Sequence, residues 1–254
     1  MNTINRPGSG RRPELVHSGF TIIELLVIIA IVAVLILLQL PVLARVSAQS
    51  RAAQCSSNLK QFALVVHIYG HEYREQLPPV GGGFWAWDLP VSAIDPLTRY
   101  GASRDIFYCP ANPDQNADGL WNFFFTYRIL GYVTTFPSVA SLTATNMNAS
   151  LVPQQIVTGP GASPPPPASK RVLLADVTMS QAGQGLPIQP AWTFTSIPGG
   201  YTAPGWPGHR TSHLNNRLPS GGNVAMLDGH VEWRPFANMV PRTDVNNGTP
   251  VFWW

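Results

Sequence analysis

Residues 20–40 limit what this chain can fold into more than any other stretch. Of the 21 residues from Phe20 to Leu40, only Thr21, Glu24 and Gln39 are polar, and from Leu25 to Leu38 none is. At 1.5 Å per residue the run makes about 31 Å of helix, the thickness of a bilayer's hydrocarbon core. Arg6, Arg11 and Arg12 precede it, which predicts a cytoplasmic leader and a translocated remainder. A secretory signal peptide also joins a basic start to an apolar region, but that region is shorter and ends at a small-residue cleavage site. Here the long run passes into Pro41-Val42-Leu43-Ala44-Arg45, which offers no convincing site of that kind.

Composition narrows the remainder. Only 11% of the 254 residues are charged, against about 25% in an average soluble domain. This argues against a solvated coil, a highly charged disordered chain or a nucleic-acid coat. The net charge is +3, and Arg6, Arg11 and Arg12 against Glu14 place +2 of it in the first nineteen residues. The rest is nearly neutral, so the pI of 9.1 does not argue for a nucleic-acid partner.

Beyond Pro41, apolar positions recur at Ala52, Cys55, Leu59, Phe62, Ala63, Val66, Tyr69 and Tyr73. Steps of three and four define one helix face. The spacing predicts a single helix from about Phe20 to about Arg74, bent at Pro41 or Gly70 and stopped by Leu77-Pro78-Pro79 and the glycines after it. The expected organisation is a leader (1–19), a long helix (20–76, with 20–40 in the membrane and 41–76 amphipathic) and an extracytoplasmic β-rich domain (77–254). In that domain, strand-like runs lie at Phe124–Tyr132, Lys170–Asp176, Gly222–Leu227 and His230–Phe236. A two-residue Asp228-Gly229 loop would pair Met226 with Val231 and Val224 with Trp233, leaving Asn223, Ala225, Glu232 and Arg234 on the other face. The fold class is α+β: a long N-terminal transmembrane helix packed on a small antiparallel sheet domain. Residues 159–168, rich in proline, read as an extended loop.

Glu24 is the anomaly, because a carboxylate inside an apolar helix costs a few kcal/mol. Thr21-x-x-Glu24 fits a capping box, which is the local explanation. The surrounding residues point further. Gly19-Phe20-Thr21-Ile22-Ile23-Glu24-Leu25-Leu26 resembles the prepilin cleavage and methylation signal of type IV pilins and type II secretion pseudopilins. The resemblance implies a pilin-like fold, cleavage after Gly19 by a prepilin peptidase and methylation of the new N-terminal Phe20. It also makes Pro41 a helix-bending proline. In the family, the glutamate is thought to pair with the N-terminal amine of a neighbouring subunit. Pairing of Glu24 with its own Phe20 amine is the alternative.

The C-terminal half resembles a bacterial subgroup of pseudopilin-like proteins whose signature is His, nine residues, then Asp-Gly. Cys55-Ser56-Ser57-Asn58-Leu59-Lys60-Gln61, Phe107-Tyr108-Cys109-Pro110, Leu174-Ala175-Asp176 and Gly221 to Val231 carry the likeness. Here fourteen residues stand between His213 and Asp228-Gly229, a longer spacing than the signature's. His209 is a more distant match.

Cys55 and Cys109 would both lie outside the cytoplasm, where a disulfide closing a loop of 53 intervening residues would contribute about 4 kcal/mol in chain-entropy terms. Type II pseudopilins are known for a calcium site, for which Asp176, Asp228, Asn215 and Asn216 are candidate oxygen donors. Asn112 to Gly119 has the most calcium-like spacing. His209, His213, Asp228, His230 and Asp176 could meet at one sheet end. His67 and His71 stand at i and i+4, but His-Glu-Tyr-Arg-Glu is not the zinc-protease pattern. The tryptophans and the terminal Phe252-Trp253-Trp254 suit core or subunit contacts, with sugar binding as the other reading. No nucleophile motif, phosphate loop or paired-carboxylate arrangement emerges, so neither an enzyme nor an obligatory cofactor or metal is expected.

The implied role is structural: a single-pass inner-membrane prepilin with a periplasmic domain, stored by its apolar helix. It would assemble with copies of itself and other pseudopilins at a secretion or pilus platform. A membrane-anchored ligand-binding module that never polymerises is the alternative.

Overall fold

The computed structural model describes residues 20–81, 85–139, 142, 145–154, 164–182, 192–197, 208–243 and 250–254. The leader, Gly19 and the first part of the proline-rich loop lie outside them. The chain divides into two compact units at Val46/Ser47.

Helix α1 runs from Ile22 to Glu72, through Pro41 without a break. Its start is closed by a capping box. The Glu24 amide donates to Thr21 Oγ1 at 3.2 Å, and the Thr21 amide and hydroxyl donate to Glu24 Oε2 at 2.9 and 2.8 Å. From Ile22 to Gln39 the helix is long and apolar enough to cross a membrane, and none of that span is buried in protein.

In the second unit, α1 turns amphipathic as its periodicity predicts. Cys55, Leu59, Phe62, Ala63, Val66 and Tyr69 are buried, while Tyr73, beyond the helix, is exposed. The helix stops before the prolines. Arg74 and Glu75 take left-handed backbone angles, φ 55° and 64°. This lets the Glu75 amide return to the Gly70 carbonyl at 2.7 Å, closing the last turn. Gly70 serves packing: a Cβ there would lie 2.4 Å from Leu151 Cδ1.

The chain continues through β1 (Asp88–Pro90), α2 (Val91–Arg99), α3 (Asp118–Trp121), β2 (Tyr127–Ile129), β3 (Tyr132–Thr134), β4 (Val172–Asp176), β5 (Met179–Ala182) and β6 (Trp192–Thr193). Then come β7 (Leu214–Asn215), β8 (Leu218–Pro219), β9 (Gly221–Met226), β10 (Val231–Pro235) and β11 (Val251–Phe252). Among the described residues, β10-β9-β4-β3 form a four-stranded antiparallel sheet and β11-β5-β6 a three-stranded one, with β1–β2 and β7–β8 as small pairs. The protein is thus α+β.

The β9–β10 hairpin departs from the expected register by one residue. Ala225 faces Val231 and Asn223 faces Trp233. The loop is Leu227-Asp228-Gly229, closed by the Met226 amide on the His230 carbonyl at 2.8 Å, with Gly229 at φ 84°. This is the three-residue loop with a left-handed glycine, which adds one residue and so moves every cross-strand pair. The expected polar face also fails. All of β9 is buried: β10 and β4 pair its two edges, Asn223 meets α1 at the Ala52 carbonyl, and Met239 lies against Gly222. Exposed side chains fall instead on the edge strand β10.

The described part of α1 from Ser47 onward packs into the same core as the four-stranded sheet. Phe62 meets Phe107 edge to face with ring centroids 4.8 Å apart. Asn223 Nδ2 reaches the Ala52 carbonyl at 3.3 Å. Lys60 Nζ donates to the Gly229 carbonyl, and a Cβ on Gly229 would sit 3.3 Å from His67 Nε2. The hairpin turn is therefore seated on the helix. Each fully buried apolar side chain in this contact stabilises the unit by about 1.5–3 kcal/mol.

Candidate functional site

Four side chains from four separate places in the chain meet in the core of the second unit. Cys55 is one turn before Leu59 on the buried stripe of α1. Cys109 follows the tight turn Arg104–Phe107, which Asn58 of the helix holds by donating Nδ2 to the Asp105 and Tyr108 carbonyls at 3.2 and 3.0 Å. Asp176 is the last residue of β4. His213 immediately precedes β7, its loop fixed by the Ser212 amide on Val177 O at 3.0 Å and the Ser220 hydroxyl on His213 O at 2.9 Å.

One polar atom from each lies within 4.8 Å of the other three, and all four residues are buried. Cys55 Sγ donates to Asp176 Oδ1 at 2.7 Å. His213 Nε2 is 3.0 Å from Asp176 Oδ2 and 3.3 Å from Cys109 Sγ. Two further groups frame the cluster. The Asn223 amide and Nδ2 donate to Asp176 Oδ2 at 2.6 and 2.9 Å. The Tyr132 hydroxyl is 3.3 Å from Cys55 Sγ.

Burial dominates the electrostatics, and the close neighbours redirect it. Burial pushes the Cys55 thiol up, reinforced by Cys109 and Asp176. Burial also acts to raise Cys109, but its interactions with Cys55 and His213 prevail and hold it below the ordinary thiol value. Burial alone would lower His213; the Asp176 carboxylate and Cys109 outweigh it and bring it to about 10. The arrangement is a set of two soft sulfur donors, an imidazole nitrogen and a carboxylate oxygen, which could hold a metal ion.

The expected disulfide is not formed: Cys55 and Cys109 are free thiols in the structure, brought into one cluster. The histidines and aspartates expected to converge do not form one group: Asp176 meets His213 in the cluster, and Asp228 meets His230 apart from it. Asp228 lies at the hairpin turn, beyond the Val172–Met226 pair, whereas Asp176 is at the opposite end of β4. Asp228 Oδ1 accepts from the His230 amide at 3.1 Å and contacts His230 Nδ1 at 2.6 Å. His209 is buried against Trp87 and Gln115. The candidate calcium donors Asp176, Asp228, Asn215 and Asn216 are thus divided between the cluster, the turn and the exposed β7–β8 connection. The Asn112–Gly119 loop is occupied by arginines: Arg104 bonds Asn116 and Asp118, and Arg210 bonds Asn112 and Asp114.

His71 pairs with Glu75 at 3.1 Å on the surface, while His67 is half-buried under Gly229. Trp87, Phe252 and Trp254 are core residues. Phe20 and Glu24 stand exposed at the start of α1. Comparison of the chain with family models, with curated proteins and with solved structures finds no match.

Proposed function

We propose that this chain is a prepilin-like structural subunit. It is inserted in the cytoplasmic membrane by residues 20–40, cut after Gly19 by a prepilin peptidase and assembled into a type II secretion pseudopilus or a type IV pilus-like filament. The observation that carries the reading is the first span of α1. Eighteen residues, Ile22–Gln39, expose an apolar surface along their whole length, with one carboxylate, Glu24, in the first turn. Such a surface does not remain in water. Lipid covers it in the stored subunit, and neighbouring helices cover it in a filament. The Thr21 capping box gives Glu24 local partners while the chain is alone. After cleavage, the Phe20 amine of another copy offers a cationic one, and a carboxylate in an apolar phase gains most from such a partner. The partners are the peptidase, further copies, other pseudopilins, the assembly platform and membrane lipid.

The test is the intact mass and N-terminal sequence of the protein recovered from membranes of cells that contain a prepilin peptidase. A chain beginning at methylated Phe20 supports the proposal. A chain beginning at Met1 overturns processing, and one beginning beyond residue 40 identifies a removed secretory signal. Glu24→Ala then tests assembly. Incorporation into filaments is expected to fail while membrane insertion persists. Unchanged incorporation refutes the role of Glu24, and no filament from the wild-type chain leaves the anchored, non-polymerising module.

A further inference from the structure

We propose that Cys55, Cys109, Asp176 and His213 form a structural binding site for one divalent zinc-class metal ion. The inference goes beyond the filament reading and does not depend on it.

The donor set comes first. Two thiolates, one imidazole and one carboxylate are the ligands zinc takes in closed four-coordinate sites, and soft sulfur with imidazole disfavours magnesium and calcium. Calcium needs six to eight oxygens, and the cluster supplies one carboxylate. Geometry comes second. With metal–sulfur distances of about 2.3 Å and metal–nitrogen or –oxygen distances of about 2.0–2.2 Å, a tetrahedron has edges of roughly 3.3–3.8 Å. One donor atom from each residue already lies within 4.8 Å of the other three; Cys55 Sγ is 2.7 Å from Asp176 Oδ1 and His213 Nε2 is 3.3 Å from Cys109 Sγ. An ion among them requires only small side-chain adjustments, and no backbone element needs to move.

The surroundings fit as well. Asn223 donates twice to Asp176 Oδ2, which orients the carboxylate. The Tyr132 hydroxyl beside Cys55 Sγ can donate to a thiolate. Such outer hydrogen bonds hold ligands in place and offset the negative charge of two thiolates and a carboxylate around a dication. A groove of about 560 Å³, bordered by Ala52, Ser212, Asn223 and Trp233, has His213 of the cluster in its wall.

A disulfide explains less. It would use the two sulfurs and leave the Asp176–His213 pair buried for no purpose, although buried ion pairs seldom add stability. A metal uses all four groups. Binding displaces the two thiol protons and the proton held between His213 and Asp176, with no change in oxidation state. The site would join α1, the Cys109 loop, β4 and the His213 loop, whose contacts are otherwise scattered through the chain.

The experiment uses the full chain, purified from membranes in detergent with zinc chloride supplied and thiols trapped by alkylation at lysis. About one zinc per chain is expected by elemental mass spectrometry. Cys55 and Cys109 should resist alkylation until a chelator is added. Replacement by cobalt should give the absorption of a tetrahedral thiolate complex. His213→Gln should weaken zinc binding at least tenfold, in competition with a chromophoric chelator, while far-ultraviolet circular dichroism stays unchanged. If that variant does not fold, the wild-type stoichiometry and thiol protection decide. A zinc-free chain with both thiols freely alkylated overturns the proposal. So does a zinc-free chain two hydrogens lighter, with Cys55 bonded to Cys109.

Discussion

Asp176→Ala is expected to be among the most damaging single substitutions in the folded unit. The side chain ends β4, where the backbone ladder to β9 has run out, and its Oδ2 takes over by accepting the Asn223 amide at 2.6 Å. The same oxygen accepts Asn223 Nδ2 at 2.9 Å and faces His213 at 3.0 Å. Removing the carboxylate leaves a buried amide without its acceptor, which costs about 1–3 kcal/mol. It also leaves an imidazolium without its counter-charge, for which buried pairs give about 3–5 kcal/mol. The two losses share one site and do not add fully, so the net cost is about 4 kcal/mol. For a unit of this size that lowers the melting temperature by roughly 8–16 °C. Asp176→Asn keeps an acceptor for the Asn223 amide and loses the charge, so it should be less damaging than the alanine variant by about 1 kcal/mol. The assay is thermal unfolding of the full chain in detergent, followed by near-ultraviolet circular dichroism with chelator present, so that no metal contributes. A loss below about 1 kcal/mol for the alanine variant would refute the reasoning, since it would mean that the orphaned groups find water or other partners.

Two further predictions follow from burial. Leu59→Ala, at a fully buried position of α1, should cost about 3 kcal/mol in chemical denaturation. Leu64→Ala, on the exposed face of the same helix, should change stability by under about 0.5 kcal/mol. His209 makes stability depend on pH. Burial lowers it from 6.5 to about 4, so the unfolded chain takes up a proton near 6.5 and the folded chain only near 4. Its contribution is therefore full above pH 6.5 and is lost as pH falls towards 4, up to about 3 kcal/mol. His209→Gln should flatten the fall across that window, as measured by unfolding at several pH values.

Long-range organisation was legible where it rested on periodicity. The buried stripe from Cys55 to Tyr69 follows directly from steps of three and four. The strands at 172–176, 221–226 and 231–235 follow from apolar runs between turn residues. What escaped was set by single residues or by neighbours. The hairpin loop takes three residues because Gly229 adopts the left-handed conformation and the His230 carbonyl, rather than a strand residue, closes the loop. Nothing in Asp-Gly alone distinguishes that from the two-residue form. The two-sided burial of β9 depends on what packs on its faces, α1 and Met239 among it, and that is not written in the strand itself. The helix end at Glu72 depends on Arg74 and Glu75 accepting left-handed angles, which overrides the later prolines as the stop.

The cluster shows the same division. The sequence pointed to Cys55 and Cys109 as a disulfide; the structure brings them together as free thiols, in company the sequence did not show. His213 carried a likeness that tied it to Asp228, but the chain folds Asp228 to the far end of β4 and gives it His230. Asp176 held the overlooked signal. It sits between Leu173-Leu174-Ala175 and Val177, so the strand that carries it is buried, and a buried carboxylate demands donors. Cys55 lies on the one helix stripe that must face the core. A carboxylate and a thiol that both have to be inside are candidates to meet, and that inference needs only the two burial arguments. Which histidine joins them depends on the loop before β7, whose length the residues 215–220 set and whose path only the folded chain determines.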